Sequence, residues 1–472
     1  MKNRILISEI KTHLGQEITI AGWVDIRRDH GKLIFIDLRD VSGKVQMVAL
    51  PNHKEASEVC QKLRGEWVIK VQGKVNPRPP KLVNTKEPNG EVEIEILDVT
   101  ILNEATTPPI DVRDDGREVS EEVRLKYRYQ DLRRPRLQKN IINRHKVMLH
   151  VRNVFDKEGF REIETPLLSA TTPEGSRDFI VPSRIEHGKF FSLPQSPQQY
   201  KQLLMTAGFE RYFQFARCMR DEDGRGDRQP EFTQMDMEMS FVEQEDVMAI
   251  NEKVMIGLIT ALYPNKKIQQ IPFPRMSYKD AMEKYGVDKP DIRNDKNDPD
   301  LLAFLWVIDW PFFEIDEKGK ARDDGGPNWT FTHNPFSAPT PECMVDLMAQ
   351  KNISSIMTTQ YDMVLNGAEI GGGSIRNHTP EALRTVFRIM GYTDERIDKN
   401  FGHMLSALGS GTPPHGGMAW GFDRLLTFLE NEPNIREVIA FPKTGEGRDL
   451  MMGAPSDVMP EQLRELGIKI QN

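Results

Sequence analysis

Residues 218–234, CMRDEDGRGDRQPEFTQ, gather Arg220, Arg225, Arg228, Asp221, Glu222, Asp223, Asp227 and Glu231 into one loop with two glycines. The runs on either side, YFQFARCMR and EFTQMDMEMSF, are rich in aromatics and methionine and read as buried strands. A solvated hairpin tip is the ordinary fate of such a charge run. An arginine where a buried strand ends has another use, because its planar fork can hold a phosphate or a carboxylate through two hydrogen bonds. Residues 361–376, YDMVLNGAEIGGGSIR, carry Asp362 and Glu369 on either side of an Asn366-Gly367 turn. Seven positions apart, the two carboxylates would fall on opposite faces of one continuous strand. The turn resets that parity, so both could converge on a hard cation such as Mg²⁺. Arg376 follows closely, and three glycines let a ligand approach the backbone; a plain glycine-rich hairpin is the other reading. In 411–425, GTPPHGGMAWGFDRL, small residues run into a helix start with Asp423 and Arg424 in its first turn. An arginine there can lie over a purine or meet the γ-phosphate of ATP. FTHNPF, residues 331–336, sets His333 and Asn334 among aromatics with neither a helical nor a strand period. That leaves His333 open as ligand, catalyst or packing.

These residues need a scaffold. Residues 16–50 alternate apolar and polar in ITIAGWV, LIFIDLRD and VQMVAL, with turns at RDHGK and VSGK. EWVIKVQGKV (66–75) and GEVEIEILDVTIL (90–102) continue the pattern. About five strands joined by hairpin turns predict a small barrel of the OB type, with other small barrels or sandwiches as the alternative. ATTPPIDVRDDGREVS (105–120) reads as an interdomain linker. Beyond it, Ile141, Ile142, Val147, Met148, Val151, Val154 and Phe155 have helical spacing, and helices then alternate with strand-like runs. Neither GxGxxG nor GxxxxGKS/T occurs, so the sheet is expected to be antiparallel and a nucleotide to be held without a phosphate loop.

The chain of 472 residues exceeds one ordinary core and predicts two or three domains. With 38% hydrophobic and 28% charged residues it reads as globular rather than disordered. No apolar run suits a membrane span, and MKNRILISEI has no apolar signal core, so a cytoplasmic protein is expected. Cys60, Cys218 and Cys343 are widely spaced, which argues against a zinc site or a disulfide framework. A net charge of −8 argues against a chain that coats nucleic acid. A local basic strip, RLKYRYQDLRRPR (124–136), remains, either as a solvated face or as an RNA contact.

In this order the stretches carry a resemblance. GFREIETP (159–166), MRDE (219–222) and GFDR (421–424) resemble motifs 1, 2 and 3 of class II aminoacyl-tRNA synthetases. With TPEGSRDF (172–179), LPQSPQQYKQLL (193–204), EIGGGSIR and GTPPHGG, nearly the whole chain resembles the bacterial-type aspartyl-tRNA synthetases. The resemblance implies an α+β protein. An OB-type five-stranded anticodon-binding barrel would occupy 1–104, a hinge 105–138, and a class II catalytic domain, an antiparallel sheet flanked by helices, 139–472. Bacterial members usually carry an insertion domain between motifs 2 and 3. Here only a connector of about 287–302 remains, too short for a core.

The resemblance also implies roles. The family makes aspartyl-adenylate from L-aspartate and ATP and passes the aspartyl group to tRNA. Arg220, Glu222 and Arg424 would be catalytic. Glu174, Ser196, Gln198, Lys201, Arg220, Asp236, His333 and Arg376 would bind aspartate, with Lys201 and Arg376 as partners of its side-chain carboxylate. Arg220, Asp221, Glu222, Gln229, Phe232, Glu369, Gly421, Phe422, Asp423 and Arg424 would bind ATP, with Phe232 stacked on adenine. Asp362 and Glu369 would hold Mg²⁺. His333 falls on the first histidine of the family's HHPF loop, whose second histidine is Asn334 here. In the barrel, Arg28, His30, Phe35, Gln46 and Glu93 would read anticodon bases, by stacking and edge contacts; for Phe35, barrel core is the alternative. The expected partners are tRNA-Asp, tRNA-Asn as well if His30 relaxes the reading, a second copy of the chain, and an amidotransferase downstream if tRNA-Asn is charged. The strip 124–136 would meet the tRNA backbone. A synthetase-like chain that has lost catalysis and only carries tRNA is the rival reading.

Overall fold

Alternation does what it predicts between Glu17 and Asn103. In the computed structural model, which describes residues 3–171, 175–224, 226–316 and 328–471, five strands close into a barrel. They are β1 (Glu17–His30), β2 (Leu33–Asp40), β3 (Gly43–Ala49), β4 (Val68–Pro77) and β5 (Val92–Asn103), in the order β1-β2-β3-β5-β4. A helix, α1 (Lys54–Lys62), precedes β4. Neighbours are antiparallel except β3 and β5, and β1 pairs with β4 to complete the ring. Period two sorts the side chains: Ile34, Ile36 and Leu38 join the barrel core, while Phe35 between them is half-buried on the other face. The β1–β2 connection is two residues, Gly31-Lys32, with Gly31 at φ 65°. This barrel belongs to a compact unit of residues 1–119 and 129–135; a second unit comprises 120–128 and 136–472.

The second unit is built on an eight-stranded sheet, counted among the described residues. Its strands are β6 (Arg161–Glu162), β9 (Arg211–Met219), β10 (Glu231–Ser240), β11 (Arg275–Ser277), β12 (Phe304–Pro311), β13 (Met357–Leu365), β14 (Ala368–Ile375) and β15 (His415–Gly421). A separate hairpin pairs β7 (Ile180–Pro182) with β8 (Phe190–Ser192). The sheet order is β11-β12-β13-β14-β15-β10-β9-β6. The six central strands are antiparallel, as expected; the short edge strands β11 and β6 pair in parallel, so the sheet is mixed at both rims. Helices α2 (Pro135–Lys157), α3 (Gln198–Thr206), α4 (Gln244–Leu262) and α5 (Phe422–Leu429) accompany the sheet. The run QMDMEMS explains how β10 faces two ways: Met235, Met237 and Met239 enter the main core with Phe155, Phe213 and Trp420, while Gln234, Asp236 and Glu238 share the opposite face. Residues 287–300 form neither helix nor strand. Among the described residues no helix is long and apolar enough to cross a membrane.

The basic strip 124–136 differs from expectation. Arg124 is buried and forks onto Glu437 at 2.9 and 2.7 Å. Arg136 reaches Glu432 at 2.6 Å and Glu437 at 2.9 Å. Arg128, also buried, donates to the carbonyls of Arg436 and Ile439, 2.7 and 2.9 Å away. Arg133 binds Glu66, and Arg134 binds Asp131 and Asp114. These guanidiniums are internal fasteners rather than an RNA-facing row, and of the six cations Lys126 stays exposed.

Candidate active site

A cleft of about 380 Å³ opens over the central strands β10, β13, β14 and β15. The Asn366-Gly367 turn joins β13 to β14 with both residues at positive φ, 49° and 87°, which suits a tight hairpin. Asp362 then faces Gly372 across the pair and Val364 faces Glu369, with a register shift between. That shift and the turn put both carboxylates on the cleft wall, as the parity argument required. Burial pushes Asp362 up to about 7, and the Glu369 charge adds to this against the opposing pull of His333. Gln360 donates to Asp362 Oδ1 at 2.7 Å, and His333 Nε2 lies 3.5 Å from Oδ2 while its ring stands edge-on to Trp310.

The glycines of this wall are spaces for carboxylates. A Cβ on Gly372 would lie 2.5 Å from Asp362 Oδ1, and one on Gly417 would lie 2.0 Å from Glu238 Oε2. Three glycines in sequence were expected to admit a ligand; Gly372 also admits the protein's own Asp362 carboxylate, and Gly373 the backbone of β15.

At one end of the cleft, four buried charges interlock. Lys201 on α3 places its Nζ 2.8 Å from Asp236 Oδ2 and 3.2 Å from Glu238 Oε2. Arg376 donates from Nε to Glu238 Oε1 (2.9 Å), from Nη2 to Oε2 (3.3 Å) and from Nη1 to Ser374 Oγ (2.8 Å). Burial would raise Glu238, yet Arg376 and Lys201 hold it down at about 2. Burial raises Asp236 despite the neighbouring Lys201. Asp236 Oδ1 is buried and has no hydrogen-bond partner, an acceptor left over inside a polar cleft. Glu238 was not among the expected site residues. Its signal was present in QMDMEMS, where acids alternate with core methionines.

At the other end, Arg220 follows β9 with its guanidinium 5.1 Å from the Phe232 ring centroid. Glu222 accepts from Ser176 Oγ and from Arg228 Nη1, the latter at 3.1 Å. Arg424, in the first turn of α5, donates to the Glu369 carbonyl and to Asp227 at 3.2 Å, leaving its Nε buried without a partner. Ser196, Gln198, Gly421 and Asn334 complete the lining on which these residues lie.

Some expected residues stand elsewhere or do other work. Phe422 is buried in the main core against Phe215, not on the cleft wall. Asp221 is off the lining, paired with Arg177 at 3.6 Å. Asp423 lines the cleft but clasps the Thr233 amide (2.9 Å) and Arg144 (2.5 Å). Gln229 engages the Lys443 backbone with both ends of its amide, at 3.1 and 2.7 Å. Glu174 lies outside the described residues. Among those described, no group of three or more histidine, cysteine or acidic side chains forms a metal cage. Asp362 and Glu369 both line the cleft, and carboxylate oxygens are the ligand type that suits a hard divalent ion.

The barrel has its own polar array. Arg28 forks onto Asp37 with both bonds at 2.8 Å and reaches Gln46 at 3.4 Å. Gln46 donates to Glu93 at 3.3 Å. His30 stands edge-on to Phe35, ring centroids 5.6 Å apart. All five expected barrel residues therefore fall into these two groups on neighbouring strands, and Phe35 lies outside the core cluster.

Residues 120–445 match the family described as tRNA synthetases class II (D, K and N), and residues 18–102 match the OB-fold nucleic acid binding domain. The chain is 38% identical to an aspartate--tRNA(Asp/Asn) ligase of Dehalococcoides mccartyi, covering 98% of this chain and 99% of that one. It is also 38% identical to an aspartate--tRNA(Asp) ligase of Deinococcus radiodurans over the full length of both. The first alignment runs over 607 positions against the 472 residues here, so that relative holds segments this chain lacks. In fold, the chain is similar to asparaginyl-tRNA synthetase from Pyrococcus horikoshii complexed with asparaginyl-adenylate, with a TM-score of 0.74, 21% identity and coverage of 94% and 99%.

Proposed function

Because the chain belongs to the class II tRNA synthetases of the aspartate, lysine and asparagine group, we propose that it activates L-aspartate with ATP and transfers it to tRNA. The observation that carries the choice of amino acid is the pair of buried cations, Lys201 and Arg376, beside an unpartnered Asp236 oxygen. A β-carboxylate meets the cations and an α-ammonium meets Asp236. A lysine side chain would bring a third cation to the pair. An asparagine amide would set its NH₂ against these donors and forgo the charge-assisted contacts that a carboxylate makes with both cations.

In the first step a carboxylate oxygen of aspartate attacks the α-phosphorus of ATP and pyrophosphate leaves. Positioning and charge neutralisation carry such a reaction, and no protein nucleophile is needed. Arg220 bridges the attacking carboxylate and the α-phosphate, Phe232 beneath it stacks on adenine, and Arg424 meets the far phosphates. Asp362 and Glu369 would hold Mg²⁺, which supplies further charge neutralisation at the phosphates. In the second step a hydroxyl of the terminal adenosine of tRNA attacks the aspartyl carbonyl, and AMP leaves.

The barrel array supports an RNA reader, with Phe35 as stacking platform and His30 at its edge. A neutral imidazole both donates and accepts, so it tolerates either pyrimidine at the last anticodon base, C or U. On that ground the enzyme charges tRNA-Asp and tRNA-Asn, which would then need an amidotransferase. Two relatives of equal identity, one named for both tRNAs and one for tRNA(Asp), show that overall similarity does not decide this. A homodimer is supported by exposed apolar residues just after GFREIETP. Leu167 and Leu168 adjoin the Ser169–Ser192 bridge, beside exposed Ile180, Phe190 and Phe191 of the β7–β8 hairpin. Light scattering should report twice the chain mass of 54.2 kDa; a monomer at micromolar concentration would count against it. The activity is tested by aspartate-dependent ATP–pyrophosphate exchange, followed by charging of purified tRNA-Asp and tRNA-Asn side by side. Tight tRNA binding without exchange would make the chain a carrier instead.

A further inference from the structure

Beneath the amino-acid end of the cleft a row of polar groups runs inward from Gln198, and the members behind Gln198 touch no expected substrate. Gln198 and Gln202 are one turn apart on the same face of α3, and Gln202 is fully buried. Against Gln202 packs His415, the first residue of β15, also without exposure. Three hydrogen bonds join them in series. Gln198 Nε2 donates to Gln202 Oε1 at 3.0 Å. Gln202 Nε2 meets His415 Nε2 at 3.1 Å, and His415 Nδ1 meets the Pro413 carbonyl at 2.8 Å.

The direction of the whole series is set from one end. A backbone carbonyl can only accept, so the proton of a neutral imidazole sits on Nδ1. Burial lowers the pKa of this ring, which keeps it neutral. Nε2 is then an acceptor, and only the NH₂ end of Gln202 satisfies it. The Gln202 oxygen must therefore turn to Gln198 and take its NH₂, which leaves Gln198 Oε1 for the cleft that Gln198 lines. A free glutamine amide rotates with little preference and offers a donor as readily as an acceptor. This one is held in a single sense by a carbonyl two side chains away.

We propose that His415 and Gln202 are positioning residues of the amino-acid site, which hold Gln198 with its carbonyl oxygen toward the α-ammonium group of aspartate and its NH₂ away from it. The inference rests on the reading of this cleft as the aspartate site. Its chemical content is a second acceptor oriented before the substrate arrives, in the same cleft lining as Asp236, whose carboxylate is steadied by Lys201. A reversed amide would set an N–H dipole against the ammonium. The device therefore selects for the α-ammonium and is indifferent to the two carboxylates of the substrate.

The test uses full-length enzyme in ATP–pyrophosphate exchange, with succinate as probe, because it keeps both carboxylates of aspartate and lacks the ammonium. His415→Leu and Gln202→Leu should each raise KM for aspartate by about tenfold or more, the loss expected of a hydrogen bond to a charged group. KM for ATP, and the inhibition constant of succinate against aspartate, should stay within about twofold. Gln202→Glu, whose carboxyl in this sealed place is held as the neutral acid, donates to His415 Nε2 and accepts from Gln198, and should bring KM for aspartate back to within about threefold of the parent. A rise in succinate inhibition constant equal to the rise in aspartate KM would overturn the proposal, since general loss of packing would then explain both. Unchanged aspartate KM in both leucine variants would overturn it as well. If His415→Leu does not fold, as judged by its thermal transition, the two Gln202 variants decide. Gln198→Leu separates the layers: no effect there shows that the ammonium lies elsewhere, whereas a raised KM in Gln198→Leu alone removes only the relay.

Discussion

The cleft and the barrel face each carry an array of arginine, acid and glutamine, and they handle charge in opposite ways. In the cleft, Lys201, Asp236, Glu238 and Arg376 are nearly sealed from solvent, with at most 3% of any of these side chains exposed. On the barrel, the Arg28 side chain is 37% exposed and Glu93 23%. Buried ions cannot exchange partners cheaply, because each would first have to be stripped of its opposite charge in a medium that screens poorly. The cleft is thus set before a small ligand arrives. The Arg28 partner, Asp37, is only 12% exposed, so water competes chiefly for the arginine, and this pair is held less firmly than the sealed four. Fixed geometry suits a small charged ligand, and a surface with looser pairs suits a larger and more flexible one.

Substitutions can break or sharpen this contrast. The largest effect belongs to Arg220→Ala. In its proposed role it would meet the α-phosphate mainly in the transition state, so exchange should fall on the order of 10²-fold or more with the fold intact. Exchange within a few-fold of the parent would remove Arg220 from the chemistry. Next comes Arg376→Leu, which leaves Glu238 with Lys201 alone. KM for aspartate should rise about tenfold or more while KM for ATP holds. The reverse pattern in steady-state exchange would move Arg376 to the nucleotide.

A pH experiment asks whether buried pairs also hold the second unit together. Burial would raise Glu437, but Arg124 and Arg136 hold it down at about 2, below its ordinary value of 4.5. A carboxylate depressed in the folded state stabilises above its unfolded pKa and loses that contribution as pH falls toward the folded one. Urea midpoints should therefore decline between about pH 5 and about pH 2, and Glu437→Gln should show a shallower decline from a lower plateau. A parallel curve for the variant would show that the pair contributes nothing to the acid transition. The smallest effect is expected on the barrel. His30→Leu should lower charging of tRNA-Asn by a few-fold and leave tRNA-Asp charging and exchange unchanged. If both tRNAs are charged as before, any relaxed reading lies outside His30.

The contrast also marks what the sequence made legible. Strands with one solvated face announce themselves, so the barrel was readable from ITIAGWV and LIFIDLRD, and the Asn366-Gly367 turn placed Asp362 and Glu369 on one wall. Partners far apart in the chain leave no local trace. Arg124 and Glu437 stand 313 residues apart, so the basic strip read as a surface when it is a set of internal fasteners. Phe422 sits beside Asp423 and Arg424 in sequence, but one helical turn distributes neighbours over different faces, and its ring goes to the core. Gln229 lines the cleft, as its sequence position suggested, but its two bonds to the Lys443 backbone, 214 residues away, left no local trace. Glu238 was legible in principle: an acid two residues from Asp236 on a strand must share its face.

The order of strands in the large sheet has a consequence for a chain that emerges from the ribosome one end first. The barrel strands end at Asn103, so the barrel can close while most of the protein is still unmade. The sheet of the second unit cannot do the same. Its last-made strand, β15, sits in the interior of the sheet, between β14 and β10, two strands that are hydrogen-bonded to it and not to each other. Until residue 421 is out of the tunnel, β10 and β14 each present an open edge. Until residues 432–440 follow, Arg124, Arg128 and Arg136 have no partner in that segment. Two halves of the catalytic sheet therefore wait for a central strand, and the interval between the synthesis of β14 and that of β15 is when this chain is most open to pairing with the wrong neighbour.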